Sequence, residues 1–393
     1  MTPLSMLRGE AFPANIDRKA PPALQNARRG AFSWARPVAQ AAAMKHLATA
    51  AALLALASAV PLGAQEEPEG PPSPNQIVEQ ASADEWQAIA SDDLLVMTLA
   101  PPDRGPGQAS ADGSEREVVI QLMPPPFSQG WVDNIRTLAR AGWYDGISIN
   151  RVQDNYVVQW GDPNVDNPEA TGPAKALPEA LKVMGEESYA TIVKSDPTTL
   201  QNATLRRMMI EDPYADLAYP ISGWPVAMEL PRAPIVRTVN AAAPQVAFPK
   251  PSYIAWPVHC YGMVGVGRSY SPDTGSGAEL YTVIGHAPRH LDRNIALVGR
   301  VVEGIEHLSS LPRGKGALGF YEDPAKRVPI RSIRVASDLA ASDQPRFEYL
   351  STESETFARY AEARANRRDP FFIVPAGGAD ICNIPVPVRR VAD

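Results

Sequence analysis

Residues 148–163, SINRVQDNYVVQWGDP, are the stretch that decides how this chain is expected to fold. The first arm, residues 147–152, alternates between apolar and polar side chains, as a half-buried strand does. The second arm, residues 156–160, is rich in β-branched and aromatic residues, which favour strands. The Gln-Asp-Asn sequence between the arms is typical of a turn. The stretch therefore predicts a β-hairpin.

The hairpin carries three side chains that suit a binding site: a cation at Arg151, an aromatic ring at Tyr156 and an amide at Gln159. On one face of a sheet they can surround a small apolar ligand and donate hydrogen bonds to it. The same residues also suit an ordinary sheet surface, with an exposed arginine and glutamine and a half-buried tyrosine. The segments around the hairpin decide between the two interpretations.

Several segments on both sides of the hairpin have the periodicity of regular structure. Residues 117–123 (EVVIQLM) predict a strand, and residues 130–141 carry apolar side chains at helical spacing. Far downstream follow GMVGVGR at 262–268, GAELYT at 277–282 and HLDRNIALVGRVV at 290–302. These segments are the other candidate parts of one sheet.

Taken in order, these segments resemble the cyclophilin-type peptidyl-prolyl isomerases. LARAGWYDG at 138–146 and NRVQDNYVVQWGD at 150–162 resemble F-x-x-L-x-x-x-G-x-Y-D-G and F-H-R-V-x-x-x-F-x-x-Q-G-G-D. The three downstream segments resemble G-x-L-S-M-A-N, G-S-Q-F-F-I and W-L-D-G-x-H-x-V-F-G-x-V. The resemblance covers residues 118–162 and 261–304, and two separated matches in the right order are more specific than either alone.

The resemblance implies a mainly β protein with a cyclophilin-like closed antiparallel β-barrel and flanking helices, in a domain spanning residues 75–335. Residues 163–258 separate the two matches, where the family has a much shorter loop. We expect them to form a long irregular insertion, either a packed covering of the barrel edges or a working surface. Residues 336–393 are expected to be a C-terminal extension packed on the barrel. Local patterns further predict helices at 75–89, 178–184, 198–210 and 354–368 and strands at 94–99 and 371–374.

The reaction that the resemblance implies is rotation about X–Pro peptide bonds. Amide resonance makes this rotation slow, with a barrier of about 20 kcal/mol. A catalyst can hold the proline ring in an apolar pocket and donate a hydrogen bond to the prolyl nitrogen, which favours the twisted state over the planar one. A guanidinium suits this role because it is permanently charged and rich in rigid donors. No cofactor is needed.

Position by position, the resemblance makes Arg151 the catalytic arginine and Gln159 the residue that binds substrate backbone and steadies that arginine. The remaining predicted substrate-binding residues are Tyr156, Val157, Tyr281 and Leu291 in the apolar pocket, Gly267 and Arg268 at the strand edge that pairs with the peptide, Glu279 in place of a glutamine, and His290 in place of a tryptophan. Other departures from the family pattern are Asn150, Val266, Ile295 and Val298.

These departures leave two functions open. The hydroxyls of Tyr156 and Tyr281 need partners, so a more polar pocket is expected, and the Glu279 carboxylate can pair with Arg151 and compete for its donors. The first function is isomerisation, and the alternative is a non-catalytic module that binds proline-containing segments or acts as a chaperone. A direct Arg151–Glu279 salt bridge would favour the alternative, whereas an open groove lined by the two tyrosines would favour catalysis.

Composition excludes some other classes. The chain of 393 residues has 40 prolines and 27 glycines, which favours strands and turns over a helical bundle. Residues 1–64 hold seven Lys/Arg and two Asp/Glu, so the rest holds 30 basic and 42 acidic residues, a net charge of −12. A nucleic-acid partner is therefore not expected. There is no C-x-x-C and no metal-type His/Cys spacing, so no metal site is expected either.

The N-terminal part has the pattern of a secretory signal. Met-Lys-His at 44–46 is followed by the apolar run 47–60 and by small residues before a cut near Ala64. Residues 44–64 are thus predicted to be a signal peptide, and 1–43 an untranslated or disordered leader. The apolar run is too short for a stable membrane span. The acidic, proline-rich residues 65–74 are predicted to be a linker, and the mature protein to be periplasmic.

The chain has two cysteines, Cys260 and Cys382. Export would place them in an oxidising compartment, where they can pair. The alternative is two separately buried thiols. A disulfide would tie the C-terminal tail to the barrel.

Overall fold

The computed structural model describes residues 70–101, 116–165, 170, 172–194, 210–229 and 252–391. They belong to one compact unit, Glu67–Asp393. The predicted leader, the signal peptide, most of the linker and nearly all of the helix predicted at 198–210 lie outside the described residues. The domain boundaries stay predictions.

Short runs of β-branched and aromatic residues form most of the elements. The first are α1 (Pro74–Glu79), β1 (Trp86–Ala88), β2 (Leu94–Leu99), β3 (Arg116–Leu122), α2 (Gln129–Arg140), β4 (Ser148–Val152) and β5 (Val157–Gly161). Next come β6 (Thr191–Lys194), β7 (Ile210–Asp212), β8 (Ala215–Ile221), β9 (Trp224–Glu229) and β10 (Ser252–Pro257). The rest are β11 (Met263–Val266), β12 (Leu280–Val283), β13 (Leu297–Glu303), α3 (Ile305–Ser309), β14 (Val328–Val335), β15 (Phe347–Leu350), α4 (Glu355–Ala365) and β16 (Val388–Arg390). In the part of the chain that is described, none of the helices is long and apolar enough to cross a membrane.

Eight of the described strands close into an antiparallel barrel. Their order is β11-β12-β5-β4-β14-β2-β3-β13, and β13 pairs back onto β11. The predicted hairpin is confirmed as β4 and β5, with Asn155 in the left-handed region (φ 51°) of its turn, a conformation that asparagine tolerates better than most residues. The predicted mainly β, closed-barrel fold is therefore confirmed.

The barrel encloses an apolar core that begins from the hairpin. Val158 and Trp160 of β5 are fully buried, while Gln159 between them is only half-buried. Successive residues of a strand point to opposite faces, so Gln159 lies on the outer face. Helix α2 packs against the core through Trp131, Ile135 and other buried residues. The inner face thus determines which residues the barrel presents outward.

A second sheet lies in the segment that was expected to be irregular. Strands β6 to β10 pair in the order β6-β10-β9-β8-β7, and Ala218 and Val226 join the main core. Prolines concealed this sheet in the sequence. Pro220 and Pro225 face each other beside a tight turn at residues 222–223, where both φ angles are positive, as in the hairpin turns that match strand twist. The helix predicted at 178–184 does not form.

The prediction of one long helix at residues 75–89 was wrong. Helix α1 ends at Glu79, and a second capping box between Ser82 and Glu85 starts a new short turn. Trp86 then begins β1, which pairs with β15, Trp86 lying opposite Leu350. The pairing partner lies more than 250 residues away in the sequence, so the local apolar spacing gave no sign of it.

The C-terminal residues pack on the outside of the barrel. Phe347 of β15 joins one hydrophobic cluster with Val96 of β2 and Val119 of β3. The helix predicted near 354–368 is confirmed as α4, whose first turn is capped by the Ser354 side chain. The strand predicted at 371–374 was wrong, because these apolar residues form turns and bends between two prolines, and Ile373 is 96% exposed.

The predicted disulfide is present between Cys260 and Cys382. The two cysteines are 122 residues apart in the sequence. Cys260 lies between β10 and β11, next to His259, and Cys382 lies in the tail. The bond therefore ties the C-terminal tail to the region between the second sheet and the barrel.

We expect Cys382→Ala to lower the free energy of unfolding by about 4 kcal/mol, because a bond closing a loop this long restricts the unfolded chain. Denaturant titration of the full chain under oxidising conditions measures the change. Reduced wild-type protein should unfold at the same denaturant concentration as the variant. If reduction leaves wild-type stability unchanged, the bond does not restrict the unfolded state as described.

Candidate active site

Strand register places three of the predicted site residues side by side. Arg151 of β4 lies opposite Gln159 of β5, and Gln159 lies opposite Tyr281 of β12. Residues directly opposite each other on neighbouring strands share a face of the sheet. The candidate site therefore lies on the outer face of β4, β5 and β12, with Gln159 in its centre.

Three hydrogen bonds fix the Arg151 guanidinium. Nε donates to the carbonyl of Leu318 at 2.7 Å, Nη1 donates to Gln159 Oε1 at 3.0 Å, and Nη2 donates to Gln153 Oε1. A guanidinium has five N–H groups, so both Nη atoms keep a second N–H. The group is thus held in one orientation and still has donors for a ligand.

Two aromatic rings flank the same guanidinium. Its Cζ lies 5.7 Å from the ring centre of Tyr156 and 5.6 Å from that of Phe320, distances at which a cation is attracted to a ring face. Burial lowers the pKa of Arg151 from its usual value, but a guanidinium remains charged in proteins. Arg151 is therefore a half-buried, permanently charged donor.

Glu279 is linked to Arg151 through the side-chain amide of Gln159. Gln159 Nε2 donates to Glu279 Oε2 at 3.0 Å, while Gln159 Oε1 accepts from Arg151. The Glu279 side chain passes between two glycines, since a Cβ on Gly161 would lie 2.7 Å from its Cγ and one on Gly267 would lie 2.9 Å from its Cβ. Gln159 is thus the link between the two charged groups.

An apolar surface lies beside the guanidinium. Tyr156, Val157, Tyr281 and Leu291 belong to one hydrophobic cluster, which we call the apolar wall. His290 is exposed and stacks on the Tyr156 ring, with centroids 6.3 Å apart. The four predicted pocket residues therefore lie together, and an imidazole borders them where many family members have an indole.

The Tyr281 hydroxyl bonds to His259. Its oxygen lies 2.8 Å from His259 Nε2, and both residues are at least 96% buried. The ring lies over Gly265, whose hydrogen leaves room for it, since a Cβ there would be 2.3 Å from the hydroxyl oxygen. Burial also raises the pKa of Tyr281 well above its usual value. At this position the hydroxyl does not make the wall more polar, contrary to the expectation from sequence.

The two predicted strand-edge residues follow β11. Gly267 donates its N–H to the Glu279 carbonyl at 2.8 Å, and a Cβ on Gly267 would lie 3.5 Å from Gln159 Nε2. Arg268 is tied to the neighbouring carbonyls of Asn294 and Ser269. Gly267 therefore adjoins the Arg151–Gln159–Glu279 chain, and Arg268 extends from it.

Sequence reasoning missed several contacts of the site. Leu318 and Phe320 approach Arg151 from a loop more than 160 residues downstream, and Arg151 pairs with Phe320 in an isolated β-bridge. No motif in the sequence reveals the contact between His259 and Tyr281. In the part of the chain that is described, no group of three or more His, Cys, Asp or Glu side chains could hold a metal ion.

Comparison with known families decides the assignment. Residues 118–335 match the model of the family described as cyclophilin type peptidyl-prolyl cis-trans isomerase/CLD. The chain belongs to this family. It is a cyclophilin-type peptidyl-prolyl cis-trans isomerase, and cyclophilins bind proline-containing peptides.

Solved structures show the same fold. The chain is similar to the cyclophilin AquaCyp293 from Hirschia baltica, with a TM-score of 0.52 and 19% identity, over 79% of this chain and 98% of that one. A cyclophilin-type isomerase from Cryptosporidium parvum, solved in the presence of the dipeptide Ala-Pro, matches at 11% identity and a TM-score of 0.28, over 56% of this chain and 92% of that one. No curated protein matches significantly. The first likeness bears on the fold alone, and the second adds nothing to it.

The stability of this cyclophilin is expected to fall as the pH falls below 6.5. Burial lowers the pKa of His259 from its usual value of 6.5, against the opposing effect of its hydrogen bond to Asp292. Below that pH the unfolded chain binds a proton that the folded chain does not, so unfolding becomes easier. Above it, both states are neutral at this site and the effect disappears.

Unfolding free energies at about pH 7.5 and about pH 5.5 measure this effect. His259→Gln should reduce the difference between the two pH values, and His307→Gln, on α3, should leave it as in wild type. An equal pH dependence in His259→Gln and wild type would contradict the assignment to His259.

Proposed function

We propose that this cyclophilin catalyses cis/trans isomerisation of X–Pro bonds in exported client proteins, with Arg151 as the hydrogen-bond donor, and thereby assists their folding. The observation that carries the proposal is the Arg151 guanidinium, which three hydrogen bonds hold beside the apolar wall. A fixed donor next to an apolar surface is what the rotation of a prolyl bond requires.

The mechanism needs binding and one hydrogen bond. The proline ring packs on the apolar wall while a free N–H on an Arg151 Nη donates to the prolyl nitrogen. As the bond twists, that nitrogen loses its resonance with the carbonyl and gains a lone pair that can accept the bond. Since the interaction is stronger in the twisted state than in the planar one, it lowers the barrier. No proton is transferred and no covalent bond forms.

Gln159 and Glu279 support the catalytic function over a purely binding one. A direct ion pair would draw the guanidinium towards the carboxylate. Here the Gln159 amide lies between the two, accepting from Arg151 and donating to Glu279. The remaining N–H groups of Arg151 therefore stay available to a substrate. The alternative, a module that binds proline-containing segments without turnover, could use the same donors but has no need of one held at a prolyl nitrogen.

The proposal that the protein is exported is supported by two independent features. Residues 44–64 have the pattern of a signal peptide, and the chain has a disulfide between Cys260 and Cys382, a bond that persists in oxidising compartments such as the periplasm. We propose that the mature protein begins near residue 65 and acts in the periplasm on other exported chains. Its clients would then be proline-containing proteins that fold there.

Arg151→Ala is expected to lower kcat/KM for an X–Pro peptide by roughly 10²–10³-fold, the usual loss for removing one donor aimed at the transition state. Arg151→Lys should recover little, because an ammonium cannot hold the same forked contacts. A peptide isomerisation assay on the purified full chain measures this. Arg368→Ala, which changes an exposed arginine outside the site, is the matched control and should retain wild-type activity.

Glu279→Gln separates charge from geometry in the same assay. The new amide oxygen can still accept from Gln159, so the chain of bonds is kept and the negative charge is lost. We expect kcat to rise, because loss of the negative charge behind Gln159 makes the Arg151 guanidinium a stronger hydrogen-bond donor. If wild type does not exceed the uncatalysed rate, the enzyme proposal fails and the binding alternative is tested with the same peptide.

Expression of the full chain in a Gram-negative host tests export. We expect a periplasmic product that starts near residue 65 and whose cysteines resist alkylation until reduced. Leu54→Arg, which puts a charge inside the apolar run 47–60, should retain the chain in the cytoplasm with reactive thiols. A wild-type product that stays uncleaved in the cytoplasm would contradict the proposal.

A further inference from the structure

A chain of buried polar side chains runs from the apolar wall to the second sheet. The Tyr281 hydroxyl lies 2.8 Å from His259 Nε2, and His259 Nδ1 lies 2.8 Å from Asp292 Oδ1. Arg289 Nε donates to Asp292 Oδ2 at 2.6 Å. Arg289 also donates through Nη1 and Nη2 to both oxygens of Asp212, at 2.7 and 2.9 Å. Asp212 is the last residue of β7.

The chemistry of the groups determines the direction of each bond. An ionised carboxylate can only accept, so His259 carries its proton on Nδ1 and donates it to Asp292. Nε2 is then an acceptor, and the Tyr281 hydroxyl donates to it. The backbone N–H of His259 donates to the same Asp292 oxygen at 3.0 Å. His259 is thus held at two points, with its acceptor aimed at Tyr281.

This arrangement satisfies and fixes the hydroxyl end of a buried ring. The ring lies against Gly265, whose lack of a side chain lets the hydroxyl approach the backbone closely. The bond from its hydroxyl to His259 sets where that end of the ring lies, and Tyr156 and Leu291 belong to the same hydrophobic cluster. The position of one part of the apolar wall therefore depends on a hydrogen bond formed behind it.

The remote end of the chain is also firmly held. The side chains of Arg289 and Asp212 are 3% and 1% exposed, and the Arg289 Cζ lies 4.9 Å from the ring centre of Tyr214. Bidentate arginine–carboxylate pairs are geometrically specific as well as strong. The second sheet thus fixes Arg289, Arg289 orients Asp292, and Asp292 orients His259.

We propose that His259 and Asp292 are positioning residues that hold the Tyr281 ring in the apolar wall, and that Asp212 of the second sheet anchors them through Arg289. The proposal rests on the isomerase function proposed above and gives the second sheet a role in it. None of these four residues touches the substrate. They act through Tyr281, so their effect falls first on how well the proline ring is bound.

Two substitutions of His259 separate its two bonds. In His259→Asn, the amide nitrogen can replace Nδ1 and donate to Asp292, but the side chain is too short to reach Tyr281. In His259→Gln, the amide oxygen can replace Nε2 and accept from Tyr281. We expect His259→Asn to raise KM for an X–Pro peptide roughly tenfold with a smaller change in kcat, the size expected when one buried group loses its partner. His259→Gln should retain most of the wild-type KM, and His307→Asn is the control for an unrelated histidine.

Further variants test whether the effect passes through Tyr281. Adding Tyr281→Phe to His259→Asn removes the orphaned hydroxyl and should lower KM again, so the two changes are not additive. Asp212→Asn should raise KM in the same direction. The proposal would be overturned if His259→Asn and His259→Gln had equal KM values and if the activity of each variant fell in proportion to its measured loss of stability. An unchanged KM on adding Tyr281→Phe would overturn it as well.

Calorimetric binding of the same peptide distinguishes this proposal from the isomerase proposal. If wild type binds the peptide without accelerating its isomerisation, the isomerase proposal fails, and the dissociation constants of the two His259 variants still test positioning. If Arg151→Ala abolishes turnover while the two His259 variants bind and react alike, the isomerase proposal stands and the positioning proposal fails.

Discussion

The register between β4, β5 and β12 is the constraint on which the site depends. It places Arg151 opposite Gln159, and Gln159 opposite Tyr281. A slip of one residue would turn every outward side chain of a strand into the barrel. Val158 and Trp160 prevent this, because both are fully buried on the inner face and moving them outward would expose a large apolar area to water. The packing of the barrel core thus determines the arrangement of the donor and the apolar wall.

The sequence predicted the elements that are encoded by short, local stretches of residues. The β4–β5 hairpin, β2 and α2 follow from alternation, helical spacing and turn residues, and the family resemblance supplied the barrel that joins them. The second sheet was missed because prolines such as Pro220 and Pro225 suggested irregular chain, although they lie at the end of a hairpin. Strand β1 was missed because Trp86 pairs with Leu350, far away in the sequence. Pairing over such distances leaves no periodic signal in either segment.

Within the site, too, the local features were predicted and the long-range contacts were missed. Arg151, Tyr156 and Gln159 lie within nine residues of one another, so one motif revealed all three. The groups that hold them in place come from elsewhere: the Leu318 carbonyl fixes Arg151, and His259 binds the Tyr281 hydroxyl. A backbone carbonyl can come from any residue type, and a lone histidine beside a cysteine suggests several roles. A sequence therefore identifies the groups that would contact a substrate more readily than the groups that orient them.

The buried chain from Tyr281 to Asp212 is better explained by a role in positioning the Tyr281 ring than by a contribution to the stability of the fold. Burying Arg289 between two carboxylates removes three charges from water, and such pairs often stabilise a fold no more than apolar residues of similar volume would. What such pairs add is a defined orientation of the bonded groups, because each hydrogen bond has one donor, one acceptor and a narrow range of angles. The disulfide lies beside this chain, since Cys260 follows His259 directly and Asp380 of the tail lies 3.7 Å from Arg289. Covalent and ionic contacts from the second sheet and the tail thus converge behind the Tyr281 ring of the apolar wall. If this ring forms part of the proline pocket, as proposed, a shift in its position would alter proline binding.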